Sequence, residues 1–168
     1  MRPSQLVWFA LAPALPVACS NSSSDTAPCA TFRTSLSVKD RMSQAANVFN
    51  PAEPITFELA ITNTLNAPAT LTASSSCTAV VFEVIDSTQR RLWGNADEIA
   101  CIQVLQPRTY APLETVNESA SWDQKDSDGA VPSGTYVVTA AVGQYVSNAA
   151  GLVDCRAALS KSGSFTIQ

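Results

Sequence analysis

Apolar and polar residues alternate at a period of two along most of this chain. The clearest run places Ile55, Phe57, Leu59 and Ile61 on one side and Thr56, Glu58, Ala60 and Thr62 on the other. Successive side chains of an extended chain point to opposite faces, so this pattern predicts a half-buried strand. The same period predicts a strand over residues 31–39 through Phe32, Leu36 and Val38, and another over 77–86 through Val80, Phe82 and Val84. Shorter or weaker alternation marks strands at 69–73 and at 115–122 around Val116.

Turn chemistry separates these runs. Pro51-Ala52-Glu53-Pro54 follows a polar connection over residues 40–50, and residues 63–68 end on Ala67-Pro68. Ser87-Thr88-Gln89 turns the chain into Arg90, Arg91, Leu92 and Trp93, which predicts a hairpin. From Trp122 to Val142 the chain reads as the end of a strand, a polar turn at Asp128-Gly129, a second turn with Pro132 and Gly134, and a strand anchored by Tyr136.

Other stretches carry weaker signals. Residues 99–105 fit a strand or a helical turn equally well, and Pro107 and Pro112 predict an irregular segment after them. Residues 149–159 predict a short helix around Val153, and Phe165 and Ile167 mark a closing strand over 163–168. The sum is an all-β antiparallel sandwich of about seven or eight strands, with one short helix near the C-terminus.

The first residues do not belong to that pattern. Arg2 precedes an apolar run over residues 6–15, which leads to Pro16-Val17-Ala18-Cys19. A bilayer-spanning helix needs roughly 20 apolar residues, so this shorter, proline-interrupted run reads as a signal peptide over residues 1–18. The residues before Cys19 resemble a bacterial lipobox, with Pro16 where Leu is usual. That resemblance implies lipid attachment at Cys19 and a place in the bacterial cell envelope, anchored and facing the periplasm; the alternative is cleavage to a soluble periplasmic or secreted product. Residues 20–28 are polar and read as a tether, leaving 29–168 as the folded domain.

Cysteine count fits export. With Cys19 set aside, Cys29, Cys77, Cys101 and Cys155 remain, an even number for which three pairings exist. The favoured one joins Cys77 to Cys101 and Cys29 to Cys155, the second tying the start of the domain to its end. No Cys-x-x-Cys is present, which argues against zinc or redox chemistry.

Charge and composition then narrow the function. Lys and Arg number 10 against 14 Asp and Glu, for a formal net charge of -4, so a nucleic-acid partner is not expected. Histidine is absent, which rules out Ser-His and Cys-His nucleophiles. Asp123, Asp126 and Asp128 before Gly129 invite a calcium reading. Aligned on Gly129, however, an EF-hand loop would have Gln124 at its first ligand position and Thr135 where a Glu belongs. Turn capping by the aspartates is the better reading, and no metal or cofactor is expected.

Several pieces, in order, carry a family resemblance: Asn50-Pro51-Ala52-Glu53, Ile61-Thr62-Asn63-Thr64, Phe82-Glu83-Val84-Ile85-Asp86 leading to Leu92-Trp93, then Trp122 and Gly129-Ala130-Val131-Pro132-Ser133-Gly134-Thr135-Tyr136. Together they resemble the bacterial intracellular proteinase inhibitor family, the BsuPI-like domains. The resemblance implies an immunoglobulin-like β-sandwich that binds another protein, a serine protease in the sharper version, and is not an enzyme. The cysteines depart from an intracellular inhibitor, as does Ser75-Ser76-Cys77-Thr78 where the family has a Ser-Gly-Gln-like turn.

For an inhibitor that presents an exposed loop to a trypsin-like protease, Arg90, Arg91 and Arg108 are the candidate contact residues. Trp93, Trp122 and Tyr136 read instead as buried framework. The second functional reading is a structural or assembly accessory of an envelope complex that acts through a sheet edge.

Overall fold

Burial follows the period-two pattern in the computed structural model, which describes residues 28–75, 80–97, 100–148 and 151–168. A 3₁₀ turn at Pro28–Thr31 opens the described chain, and β1 (Phe32–Lys39), β2 (Val48–Phe49), β3 (Ile55–Asn63) and β4 (Ala69–Ala73) follow. Next come β5 (Val80–Ile85), β6 (Arg91–Gly94), β7 (Gln106–Tyr110), β8 (Thr115–Trp122), β9 (Lys125–Asp126) and β10 (Gly129–Ala130). The C-terminal part holds β11 (Gly134–Val142), β12 (Gln144–Asn148), β13 (Gly151–Asp154), α1 (Arg156–Leu159) and β14 (Lys161–Ile167).

Two sheets face each other across the core. One has the order β1-β3-β8 and is antiparallel throughout. The other has the order β2-β14-β11-β5-β6. Ile55, Phe57, Leu59 and Ile61 are all 0% exposed, so the face chosen by the alternation is the buried one. Burial of side chains this size contributes roughly 1.5–3 kcal/mol each.

Aromatic rings close the space between the sheets. Phe57 of β3 meets Phe82, Trp93 and Phe165 of the opposite sheet at centroid distances of 6.3, 5.8 and 5.7 Å. Trp122, at the end of β8, meets Trp93, Tyr136 and Phe165 at 6.4, 6.1 and 6.2 Å. The Tyr136 hydroxyl, at the start of β11, donates to the carbonyl of Pro132 four residues upstream. That return bond is the tyrosine corner of immunoglobulin-like sandwiches, and it makes Tyr136 a framework residue, as its place in the sequence suggested.

A third sheet, β13-β12-β4-β7, extends the sandwich. Only Gly143 separates β11 from β12, so one length of chain serves two sheets in turn. Leu71, Tyr110 and Val146 carry the core into this sheet, and Tyr110 packs edge-on against Phe32 at 5.2 Å.

Three local expectations need correction. Residues 106–110 form a strand despite Pro107, because β7 lies at the edge of its sheet, where proline is tolerated. Of the helix expected over 149–159, residues 149–150 lie outside the described residues, and the rest contains only α1, four residues long, with Val153 in β13 opposite Val146. Valine is β-branched, and pairing with β12 decides for strand there. The connection over 40–50 contains a two-residue strand, β2, which runs parallel to β14 and buries Phe49 against Phe165.

The described residues contain fourteen strand segments, three of them only two residues long, in the all-β sandwich that the sequence predicts. Cys29 is bonded to Cys155. Cys101 is also disulfide-bonded, while Cys77 and Cys19 lie outside the described residues.

Candidate functional site

Antiparallel pairing sorts the loops to two ends of the sandwich. Ile55 pairs with Trp122 at one end of β3–β8, and Thr62 pairs with Thr115 at the other. Each end is held by one buried side-chain amide.

At the first end, Gln124 has its side chain inside, with the residue only 2% exposed. Its Nε2 donates to the carbonyls of Asn50 at 2.8 Å and Glu53 at 2.7 Å, and its Oε1 accepts from the Ala52 amide at 2.9 Å. The backbone bends to allow this, with φ 61° at Gln124 and 60° at Ala52. Asn50-Pro51-Ala52-Glu53 is a turn closed by Glu53 N–H donating to Asn50 C=O at 3.2 Å. Pro51 suits its second position, and Ala52 takes the left-handed third position, where Gly is usual.

At the other end Asn63 is 0% exposed. Its Nδ2 donates to Ala67 and Ala111 carbonyls at 2.8 and 2.9 Å, and its Oδ1 accepts from Leu65 N–H at 3.0 Å. Sequence reasoning placed both residues in turns but gave neither a role. The only available signal was an uncharged amide side chain at each end of a strand pair.

The β5–β6 hairpin tip joins the Gln124 end. Asp86 accepts from the Thr88 hydroxyl at 2.7 Å, the Thr88 amide at 2.8 Å and the Arg90 amide at 3.0 Å. The Thr88 hydroxyl bond leads the causes that lower its pKa from 3.8 to about 2, and the Arg90 and Thr88 amides act in the same direction. A carboxylate with a depressed folded-state pKa stabilises the tip above its unfolded value and loses that contribution as pH falls through the folded one. The melting-temperature gap between wild type and Asp86→Ala should therefore narrow as pH drops from 3.8 toward 2. A gap that stays constant across that window would contradict the assignment.

The candidate arginines are all ion-paired. Arg90 reaches Asp86 at 3.4 Å, Asp126 at 3.1 Å and Asp128 at 3.7 Å, fastening the hairpin tip to the aspartate-rich turn. Arg91, facing the β5 side of the hairpin, contacts Glu83 at 2.9 Å and also Asp97. Arg108 stands on β7, in a different sheet, where it meets Glu118 at 3.1 Å and lies over the Tyr110 ring at 5.4 Å. Arg90 and Arg91 are thus neighbours, while no contact joins either to Arg108.

The aspartates around Gly129 behave as turn residues. Asp126 accepts from the Asp128 amide at 2.8 Å, and Asp123 pairs with Lys125 at 2.7 Å, which lowers its pKa. Trp93 and Trp122 serve the core, and the Trp122 indole donates to Lys125 C=O at 2.7 Å.

Beside these loops runs an open flank. β6 and β8 are edge strands of the two facing sheets, and a cleft of ≈ 380 Å³ lies between them, lined by Trp93, Gly94, Asn95, Asp97, Ala120 and Ser121. The arrangement offers surfaces for a macromolecule: two loop-bearing ends and a strand edge.

Comparison with known proteins assigns the frame. The sequence model of the BsuPI family, described as intracellular proteinase inhibitor, matches residues 42–145, more than half of the 168. The chain belongs to the BsuPI family.

Its BsuPI region starts ahead of β2 and ends inside β12. It contains both amide clamps, the β5–β6 hairpin and the open flank. β1 and β14, which complete the two facing sheets, lie outside it, as do Cys29 and Cys155.

No curated protein matches the chain. Among solved structures, it is similar to the alkylpurine DNA glycosylase AlkC of Pseudomonas fluorescens, with 14% identity and a TM-score of 0.43 over 82% of this chain and 30% of that one. It is also similar to the C-terminal domain of Wzt, with 7% identity and a TM-score of 0.46 over 82% and 74% of the two chains. A third is the CARDB domain from Pyrococcus furiosus, with 10% identity and a TM-score of 0.41 over 82% and 90%.

Proposed function

We propose that this BsuPI protein is a non-catalytic inhibitor of an exported protease, held at the bacterial cell envelope through a lipid on Cys19. The observation that carries the reading is the family match over residues 42–145. Two others support it. Loops at both ends of a rigid sandwich are fixed by buried, fully bonded amides, which limits the ordering cost of presenting them to a partner. Export accounts for the disulfides, which an intracellular inhibitor would not keep.

The test is affinity capture from membranes followed by inhibition assays against a panel of serine proteases. Inhibition of a captured or panel protease at or below micromolar concentration is the expected result. Failure against every protease at that concentration would remove the inhibitor reading. Cys19→Ser should move the protein from the membrane fraction to the soluble one, and unchanged fractionation would refute the anchor.

One observation favours a second reading. β8 presents eight residues at a sheet edge with a single charged side chain, Glu118, beside the cleft against β6. An assembly partner could add an extended strand there. In that case capture would return an envelope-assembly protein and no protease.

A further inference from the structure

Large exposed apolar side chains are scattered singly over most of this surface, and single ones need no explanation. Residues 102–105 are different. Ile102 is 67% exposed, Val104 39% and Leu105 58%, three aliphatic side chains in four consecutive residues. The segment has no regular secondary structure, yet both of its ends are fixed. Cys101 on one side is disulfide-bonded. On the other, β7 starts at Gln106 and pairs with β4 through Gln106↔Ala73 and Pro107↔Thr72.

The loop also borders an open hollow. Gln103, Val104 and Leu105 form one wall of a hollow of ≈ 410 Å³ whose other wall is Ser74 and Tyr145. Val104 and Leu105 line this open hollow and stay reachable from solvent, Leu105 the more exposed of the two. Among the remaining exposed apolar residues, Leu113 sits at φ 58°, a left-handed backbone that no protease cleft takes from an extended peptide.

We propose that residues 102–105 are the segment this inhibitor presents to its protease, with Leu105 entering a specificity pocket that accepts aliphatic side chains. The proposal rests on the inhibitor reading above and names the contact within it. An active-site cleft of an endoprotease binds an extended peptide and selects one side chain by shape and polarity. A segment pinned by a disulfide before it and a strand ladder after it meets that cleft already ordered, so little conformational freedom is lost on binding. Leu105 suits the pocket better than Val104, because its branch point is one carbon further from the backbone. Arg90, Arg91 and Arg108 would each have to leave their ion pairs to enter a pocket. Leu105 breaks nothing.

The experiment uses the full-length chain, expressed with its own leader, against three serine proteases: subtilisin and elastase, which take apolar side chains, and trypsin, which takes basic ones. Wild type should inhibit an apolar-specific protease. Leu105→Asp should raise that inhibition constant at least 100-fold while leaving the melting temperature within about 2 °C, since an exposed site costs little. Leu105→Arg should lower the constant for trypsin by a similar factor.

Unchanged inhibition in Leu105→Asp, or loss of inhibition in the triple variant Arg90→Ala, Arg91→Ala, Arg108→Ala instead, would overturn the loop assignment and leave the inhibitor reading standing. Wild type that inhibits none of the three, nor any captured protease, would overturn both. Self-association that Leu105→Asp abolishes, seen by analytical ultracentrifugation, would assign the segment to a second copy and overturn the proposal.

Discussion

Replacing Cys29 and Cys155 together by alanine should lower the melting temperature by at least 10 °C and bring the protein close to the limit of folding at 37 °C. The bridge closes a loop of sequence separation 126. For a loop of that length the entropy removed from the unfolded chain corresponds to roughly 5 kcal/mol, against a total stability of about 5–15 kcal/mol for a domain. Local structure makes the effect larger where the bridge sits. Cys29 lies in the opening 3₁₀ turn and Cys155 at the N-terminal boundary of α1, and both are buried. Hydrogen bonds add to it: the Thr34 hydroxyl donates to the Leu159 carbonyl at 2.7 Å, and the Val142 amide donates to the Ser160 hydroxyl at 2.9 Å. Without the bridge, the β12–β13 arm and α1 should open before the sandwich does. Limited proteolysis should therefore cut the double variant first within residues 151–160. A double variant that melts within about 2 °C of wild type and resists that cleavage would show that the sandwich holds itself together and the bridge is incidental.

The sandwich was legible because its central strands obey a two-sided rule. Ile55, Phe57, Leu59 and Ile61 alternate with polar residues, and only one register buries them all. Tyr136 was legible for a different reason: Pro132 and Gly134 mark a turn just before it, and the corner bond spans that turn. Misreadings arose where a local rule met a tertiary setting it does not contain. Proline breaks an interior strand, but β7 is an edge that pairs on one side only, where Pro107 is tolerated. β2 is only two residues long and depends on β14, near the far end of the chain, for its pairing.

Candidate sites were less legible than the fold. Arg90, Arg91 and Arg108 drew notice because they are charged and were expected at exposed positions, yet such groups commonly find a partner carboxylate within the same molecule. Residues 102–105 drew none, because an apolar run is read as a buried element. That inference runs one way only: apolar residues favour the interior, but the surface of a folded protein is also largely apolar. Exposure of three neighbouring aliphatic side chains is a tertiary fact. Gln124 was hidden for a related reason: its partners lie 71, 72 and 74 residues away, and no local period connects them.

Gln124→Ala should destabilise the protein by roughly 3 kcal/mol although Gln124 lies outside every hydrophobic cluster. The substitution removes three hydrogen bonds at once and leaves the Ala52 amide and the Asn50 and Glu53 carbonyls without their amide partner, at about 1 kcal/mol each. Backbone strain gives an internal control. Gln124 adopts φ 61°, a conformation that costs any residue with a Cβ on the order of 1 kcal/mol and glycine almost nothing. Gln124→Gly loses the same three bonds but relieves that strain, so it should be the milder variant despite being the more flexible one. Equilibrium urea unfolding of the two variants measures the order directly. If alanine proves milder than glycine, the positive φ is not a feature of the folded protein. If both lie within about 0.5 kcal/mol of wild type, the buried amide does not hold the turn. Because the Asn50–Glu53 turn, the β5–β6 tip and the aspartate-rich loop meet at this end, the variant should also release Arg90 from Asp126. The ion pair is then lost without mutating either partner, which separates the framework role of that pair from any role in binding.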